Sequence, residues 1–359
     1  MKKQNKLIVV NARFLTQRMT GVQRYAVEIC LELKRMMGDN VEFVSPCNIE
    51  QQEYAKKLSV KIIGSHKGHV WEQIDLPHYL HKCGSPLLLC LCNTAPLFYK
   101  NKIVTVHDVA FEAFPQTFSK SFLYTYHLLI PRIIKSALHV ITVSNFSKEE
   151  IIKYYGTPHD KISVVYNAVG EQFKTKYDKV LRECNYLLAV SSLNYRKNFI
   201  AVLKAFDLLE KDNKDVNLYI IGDLQNNSFK SIDIEHYKKN PHVKFLGRVS
   251  DEDLIRYYSN ALAFVYPSIY EGFGIPPLEA QNCGCPVLVA DIPPLHEVIE
   301  NSGIYCNPQE IVDIALGMKK IIASSDMYKN LAHENIIRFS WEKSAKRVVD
   351  ILKQYTNKN

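Results

Sequence analysis

Short apolar runs alternate with longer amphipathic stretches along the whole chain. Leu7–Val10 is the first apolar run, and polar residues, Gly21 and a helix-like pattern from Val22 to Met36 follow it. This is the order strand, loop, helix. Leu87–Leu91, Ile103–Val106, Val140–Val143 and Ile162–Val165 read as further buried strands, with a Tyr- and Phe-rich helix predicted over Phe118–Ala137. Residues 171–183 lose the apolar periodicity and gain several lysines, the pattern of a linker. A second series then begins at Tyr186–Val190 and continues through Val216–Ile221, Val243–Phe245, Ala263–Tyr266 and Val287–Ala290. The closing stretch Ser340–Tyr355 predicts a helix with Ser340 as N-cap ahead of Trp341. Strands alternating with helices in both halves point to parallel sheets and an α/β fold of two Rossmann-like domains. The expected division is 1–170, a linker at 171–183, 184–340, and a last helix over 341–359.

Composition narrows the class. With 359 residues, 47% hydrophobic and 23% charged, the chain has the make-up of a globular protein of two ordinary domains. The nine cysteines include no Cys-x-x-Cys pair, and Cys90/Cys92 and Cys283/Cys285 fall in apolar runs, so buried reduced thiols are expected. Met-Lys-Lys-Gln-Asn-Lys leads straight into Leu-Ile-Val-Val, and no apolar run is long enough for a membrane span, so a cytoplasmic location is expected. The net charge of +8 lies in the first half: residues 1–170 hold 21 basic against 13 acidic side chains. Such an excess would attract an anionic membrane surface or a diphosphate-bearing acceptor, though scattered solvated lysines would give the same count. No aromatic-basic motif accompanies the charge, which argues against nucleic acid.

The most informative stretch is Tyr266-Pro-Ser-Ile-Tyr-Glu-Gly-Phe-Gly-Ile-Pro-Pro-Leu-Glu279. Glu271 and Glu279 are separated by a Gly-Phe-Gly turn and a Pro-Pro pair that predicts a helix start near Pro276 or Pro277. A helix N-terminus offers unpaired N–H groups to phosphate, and Gly272 and Gly274 let backbone approach a ligand closely. One carboxylate could then accept hydrogen bonds from a sugar and the other from a ribose.

This core, with Pro-Ser before it and Gly-Cys-Pro-Val after it, resembles the signature of family 4 retaining glycosyltransferases. The resemblance implies a GT-B fold, two Rossmann-like domains facing across a cleft with the final helix crossing back to the first. It assigns Glu271 to the donor sugar, Glu279 to the ribose, and the backbone of Phe273, Gly274 and Ile275 to the diphosphate. The segment Leu193-Asn194-Tyr195-Arg196-Lys197-Asn198 resembles the family's Arg-Lys-Asn motif, whose cations neutralise the leaving diphosphate in place of a metal ion. His107 in His107-Asp108 would contact the donor sugar, with Asp108 fixing the imidazole or capping the next segment. Gly21 stands where the family often has two glycines near the donor phosphates. Ile220-Ile221-Gly222-Asp223 corresponds to a turn that packs the nucleotide, and Gly247-Arg248-Val249-Ser250 to the segment whose backbone reads the base.

Asp251-Glu252-Asp253 matches the Asp-x-Asp pattern of metal-dependent transferases, but Ser250 or Asp251 as N-cap with acids in the first turn accounts for it. No metal or other cofactor is expected. The resemblance is strongest to bacterial enzymes that build O-antigen, capsule or exopolysaccharide, with mannose the first guess for the sugar. Rival readings are a non-catalytic glycan-assembly subunit, a UDP-sugar epimerase, and a nicotinamide dehydrogenase. The last lacks its Gly-x-Gly-x-x-Gly turn after the first strand.

Overall fold

The computed structural model describes residues 7–190, 195–222 and 234–356. Its chain forms two compact units, Met1–Ala168 with Ser340–Asn359, and Val169–Phe339.

Unit 1 is built on seven parallel strands: β1 (Ile8–Asn11), β2 (Val41–Ser45), β3 (Lys61–Ile62), β4 (Leu87–Cys90), β5 (Lys102–Thr105), β6 (His139–Thr142) and β7 (Ile162–Val164). They lie in the order β3-β2-β1-β4-β5-β6-β7. Strand order therefore reverses between β1 and β4, where Asn11 pairs in register with Cys90. Four of these strands are buried along their whole length, so their apolar residues are consecutive and not alternating, with polar residues only at the strand ends. β2 is interrupted by Glu42 and β3 is a two-residue exposed edge; neither stands out as an apolar run. Helix α1 (Gly21–Met37) ends at Gly38, whose φ of +54° suits a residue without Cβ. Helix α2 (Lys120–Ser136) starts at Ser119, whose Oγ accepts from Phe122 N at 3.3 Å.

The C-terminal helix Trp341–Thr356 belongs to unit 1 and packs against α1. Ser340 Oγ accepts from Lys343 N at 3.2 Å, the N-cap expected from sequence. Trp341 meets the ring of Tyr25 edge-on at 5.9 Å, and Val348, Ile351 and Leu352 are buried. Burying side chains of this size contributes about 1.5–3 kcal/mol each, enough to hold the helix in place.

Unit 2 carries six parallel strands: β8 (Tyr186–Val190), β9 (Asn217–Ile221), β10 (Val243–Gly247), β11 (Ala263–Tyr266), β12 (Val287–Ala290) and β13 (Ile304–Cys306). Their order is β10-β9-β8-β11-β12-β13, with the reversal between β8 and β11. Helix α3 (Phe199–Glu210) buries Phe199, Val202 and Phe206 in the same core as Leu187, Leu218, Val265 and Leu288 of the sheet. Helix α4 (Asp251–Asn260), α5 (Ile275–Asn282) and α6 (Pro293–Ile299) follow β10, β11 and β12.

The stretch 171–183 is not a loose connection. Phe173 is buried, Lys176 Nζ pairs with Glu252 at 2.5 Å, and Arg256 pairs with Asp178 at 2.5 Å. Asp178 N donates to Asn260 Oδ1 at 2.9 Å. Two of the charges that give this segment its linker-like composition, Lys176 and Asp178, are paired with α4.

Candidate active site

In a parallel sheet ligands bind outside the carboxyl ends of the strands, where strand order reverses. In unit 2 that place is the pair of turns leaving β8 and β11. The first turn, Tyr195–Lys197, passes into α3 through Asn198, which adopts a left-handed φ of +54°. Asn198 Nδ2 holds this turn by donating to the carbonyls of Pro267 (3.1 Å) and Pro308 (2.5 Å). The carbonyl of Arg196 accepts from Ile269 N at 2.7 Å, so the two turns are stitched backbone to backbone. Leu193, Asn194 and Asp223 lie outside the described residues.

These stitches bring Lys197 onto Glu271. Lys197 Nζ lies 2.7 Å from Glu271 Oε1 and donates to the hydroxyl of Tyr266. Tyr266 donates in turn to the same Oε1 at 2.7 Å, and Ser268 Oγ donates to it as well. Three donors therefore meet on one carboxylate oxygen. Oε2 takes no hydrogen bond from any described residue. The Glu271 side chain is 12% exposed. Burial alone would push its pKa up, but the Lys197 charge and the three hydrogen bonds outweigh it and hold the carboxyl below its ordinary value. Glu271 is thus an ionised carboxylate, locked at one oxygen and presenting the other.

The Gly272–Gly274 turn follows. Phe273 is buried against Phe339 with ring centroids 5.7 Å apart, so its side chain belongs to the core and only its backbone can serve a ligand. Gly274 has φ +104°, and a Cβ there would stand 2.5 Å from Leu295 Cδ2. Helix α5 begins at Ile275, just ahead of the position expected from the prolines. Pro276 and Pro277 have no N–H, so among the first four helical residues only Ile275 and Leu278 offer amide donors. Glu279 is half-buried on the same helix.

Gly222 and Val249 lie beyond β9 and β10, on the carboxyl edge of the same sheet. Gly222 has φ +150° and donates its N–H to the carbonyl of Gly247 at 2.8 Å. Val249 is half-buried just before α4. In Asp251-Glu252-Asp253, Ser250 Oγ caps the helix through Asp253 N at 3.1 Å, Asp253 pairs with Arg256 and Glu252 with Lys176.

The two remaining candidates are in unit 1. Gly21 is the exposed first residue of α1. His107 is buried; its Nε2 donates to the carbonyl of Leu91 at 2.9 Å and its ring meets Tyr25 edge-on at 4.8 Å. Burial lowers its pKa, so the imidazole is neutral, with Nδ1 as the acceptor nitrogen. Asp108 does not orient the ring: its Oδ1 accepts from Ala110 N at 2.9 Å and caps the short helix Ala110–Ala113.

Sequence reasoning missed the role of Tyr266 and Ser268. The available signal was Tyr266 at the end of an apolar strand, since a buried tyrosine hydroxyl needs a partner.

Residues 19–173 match the family described as Glycosyltransferase Family 4, and residues 173–338 match Glycosyl transferases group 1. The chain is 31% identical to the O-antigen chain mannosyltransferase RfbU of Salmonella typhimurium over 84% of its own length and 87% of that protein's. It is 27% identical to the O-antigen chain mannosyltransferase B of Escherichia coli over 72% of this chain and 73% of that one. In structure it is similar to Anabaena Alr3699/HepE in complex with UDP and glucose, with a TM-score of 0.71 at 16% identity, covering 97% of this chain and 99% of that one. The fold is GT-B, and the chain belongs to the group 1 and family 4 glycosyltransferases.

Proposed function

We propose that this glycosyltransferase moves a hexosyl group, mannosyl first among the candidates, from a nucleoside diphosphate sugar to a sugar or polyprenyl-diphosphate-linked acceptor. The process would be bacterial surface-polysaccharide synthesis, in keeping with the mannosyltransferase names of its relatives. The observation that carries the reading is the Lys197–Tyr266–Ser268–Glu271 cluster at the strand-order reversal of unit 2.

The bond between the anomeric carbon and the diphosphate breaks with its electron pair going to the phosphate oxygen. The acceptor hydroxyl oxygen bonds to the same carbon on the same face and gives up its proton to the departing phosphate oxygen. Charge develops on the leaving diphosphate, so fixed cations and amide dipoles there lower the barrier. Arg196, Lys197 and the amides from Phe273 to Ile275 supply them. That set performs the charge compensation a metal ion would otherwise supply. Glu271 Oε2 accepts from a donor-sugar hydroxyl; a donor-sugar contact for His107 is what the family resemblance implies. Glu279 takes the ribose hydroxyls, while Gly222 and Val249 border the nucleoside.

Unit 1 would meet an anionic membrane surface through the basic excess of this half. Among the described residues no helix is long and apolar enough to cross a membrane.

Melting curves with GDP, UDP, dTDP and ADP, each with and without a chelator, test the donor site. Saturating ligand at a hundred times its Kd should add about 2.7 kcal/mol of stability. One nucleotide stabilising equally with chelator supports the reading, whereas stabilisation that vanishes with chelator, or by none of the four, counts against it.

A further inference from the structure

At the strand-order reversal of unit 1, β4 leads out through Leu91, Cys92 and Asn93, and its neighbour β5 leads out through Val106 to His107. Three hydrogen bonds join the two exits. Asn93 N donates to the carbonyl of Thr105, His107 N donates to Asn93 Oδ1, and His107 Nε2 donates to the carbonyl of Leu91, each at 2.9 Å. His107 is therefore fixed at its ring by one residue of the β4 exit and at its backbone by another. The far side of the turn is anchored too. Thr94 Oγ1 donates to Glu72 Oε1 at 3.1 Å and accepts from Arg13 Nη2 at 2.7 Å, within the closed, buried Arg13–Glu72 ion pair.

Asn93 takes this place in a left-handed conformation, with φ +59°. That region is uncommon outside glycine, and residues held in it gather at functional sites. Six non-glycine residues among those described have positive φ, and only Asn93 and Asn198 follow the carboxyl end of a strand flanking a strand-order reversal. In unit 2 the Asn198 side chain holds the turn that carries Lys197. In unit 1 the Asn93 side chain holds His107. Glycine would serve a bare left-handed turn better, because it reaches positive φ without strain. Asparagine adds what glycine lacks, an acceptor for the N–H of buried His107, and a buried N–H without a partner is costly.

We propose that Asn93 is a positioning residue for His107: it holds the His107 backbone so that Nε2–H stays on the Leu91 carbonyl and Nδ1 stays the acceptor nitrogen. This inference rests on the transferase reading above, in which the family resemblance gives His107 a contact to the donor sugar.

The test compares wild type with Asn93→Gly, Asn93→Asp and His107→Gln, each as the full chain. Glycine keeps the left-handed turn and removes the acceptor, whereas aspartate keeps both. Long-range proton–nitrogen spectra of histidine-labelled protein read the ring directly, with the His107 signals assigned by their loss in His107→Gln. Wild type and Asn93→Asp should show the Nε2–H tautomer alone at His107, and Asn93→Gly a mixture of both tautomers. Turnover is read as nucleoside diphosphate release from GDP-mannose and UDP-glucose. Asn93→Gly should release it about tenfold more slowly, the effect of one lost hydrogen bond, while Asn93→Asp stays within about threefold of wild type. If Asn93→Gly does not fold, Asn93→Ser carries both readouts: its side chain is too short to reach, and this chain already holds serine at positive φ at Ser59 and Ser85. A single unchanged tautomer in the variant lacking the acceptor, or a rate within about twofold of wild type, overturns the inference. The spectra need no substrate, so they decide whether Asn93 holds the ring whichever sugar the enzyme takes. Near-normal turnover by His107→Gln counts instead against the donor-sugar role of His107.

Discussion

Tyr266→Phe removes one oxygen and keeps the ring, which stacks on Phe264 with centroids 5.6 Å apart and is buried. The loss is therefore polar. Glu271 Oε1 keeps Lys197 and Ser268 but loses its third donor, and Lys197 loses one of its two acceptors. A hydrogen bond to a charged group contributes roughly 1.5–3 kcal/mol. If that bond orients Glu271 for the transition state, kcat/KM should fall about ten- to hundredfold, mostly in kcat. Nucleoside diphosphate affinity should stay within about threefold, because Arg196 and the amides at the start of α5 are untouched and Lys197 keeps its charge and its bond to Glu271. The tyrosine hydroxyl stabilises the charged carboxylate, so losing it raises the Glu271 pKa and moves the acid limb of the rate profile to higher pH. Initial rates of transfer from radiolabelled nucleotide sugar across pH 4–8, with calorimetry of nucleotide binding, read all three quantities. A kcat/KM within twofold of wild type, with an unshifted acid limb, would refute the idea that Tyr266 holds Glu271.

Two further outcomes follow from the same geometry. Gly274→Ala forces a side chain onto φ +104° and against Leu295, a strain of about 1–3 kcal/mol, and should lower both melting temperature and nucleotide affinity; unchanged affinity would separate the turn from the diphosphate site. His139 is buried between Ser163 (2.8 Å) and Tyr355 (3.1 Å), and burial, with Arg347 and Lys148 nearby, lowers its pKa to about 4. The native state resists a proton that the unfolded chain accepts below about 6.5, so stability is lost as pH falls from there towards 4. From pH 7 to 5, urea denaturation should show wild type losing about 2 kcal/mol more than His139→Gln. Parallel losses would mean that His139 does not titrate in this way.

The parts of the fold legible in sequence were those whose signal is local. Buried parallel strands such as Leu87–Cys90 and Val287–Ala290 are apolar on both faces and announce themselves, whereas β2 and β3 do not. Glu271 and Lys197 each carried a motif, but their pairing spans 74 positions and becomes visible only when β8 and β11 lie side by side. The Arg13–Glu72 pair, 59 positions apart, was invisible for the same reason, since charged residues in a polar stretch look like surface. Composition misleads in 171–183, where Lys176 and Asp178, residues suited to solvent, instead pair with α4.

The most direct test of the central claim is the anomeric configuration of the product. Wild type and Glu271→Ala should be compared with the stabilising nucleotide's sugar and a lipid-linked acceptor, in excess chelator. The account predicts retained configuration, a wild-type rate indifferent to chelator, and loss of turnover in a Glu271→Ala protein that still melts cooperatively. An inverted product, or near-normal turnover by Glu271→Ala, would contradict it.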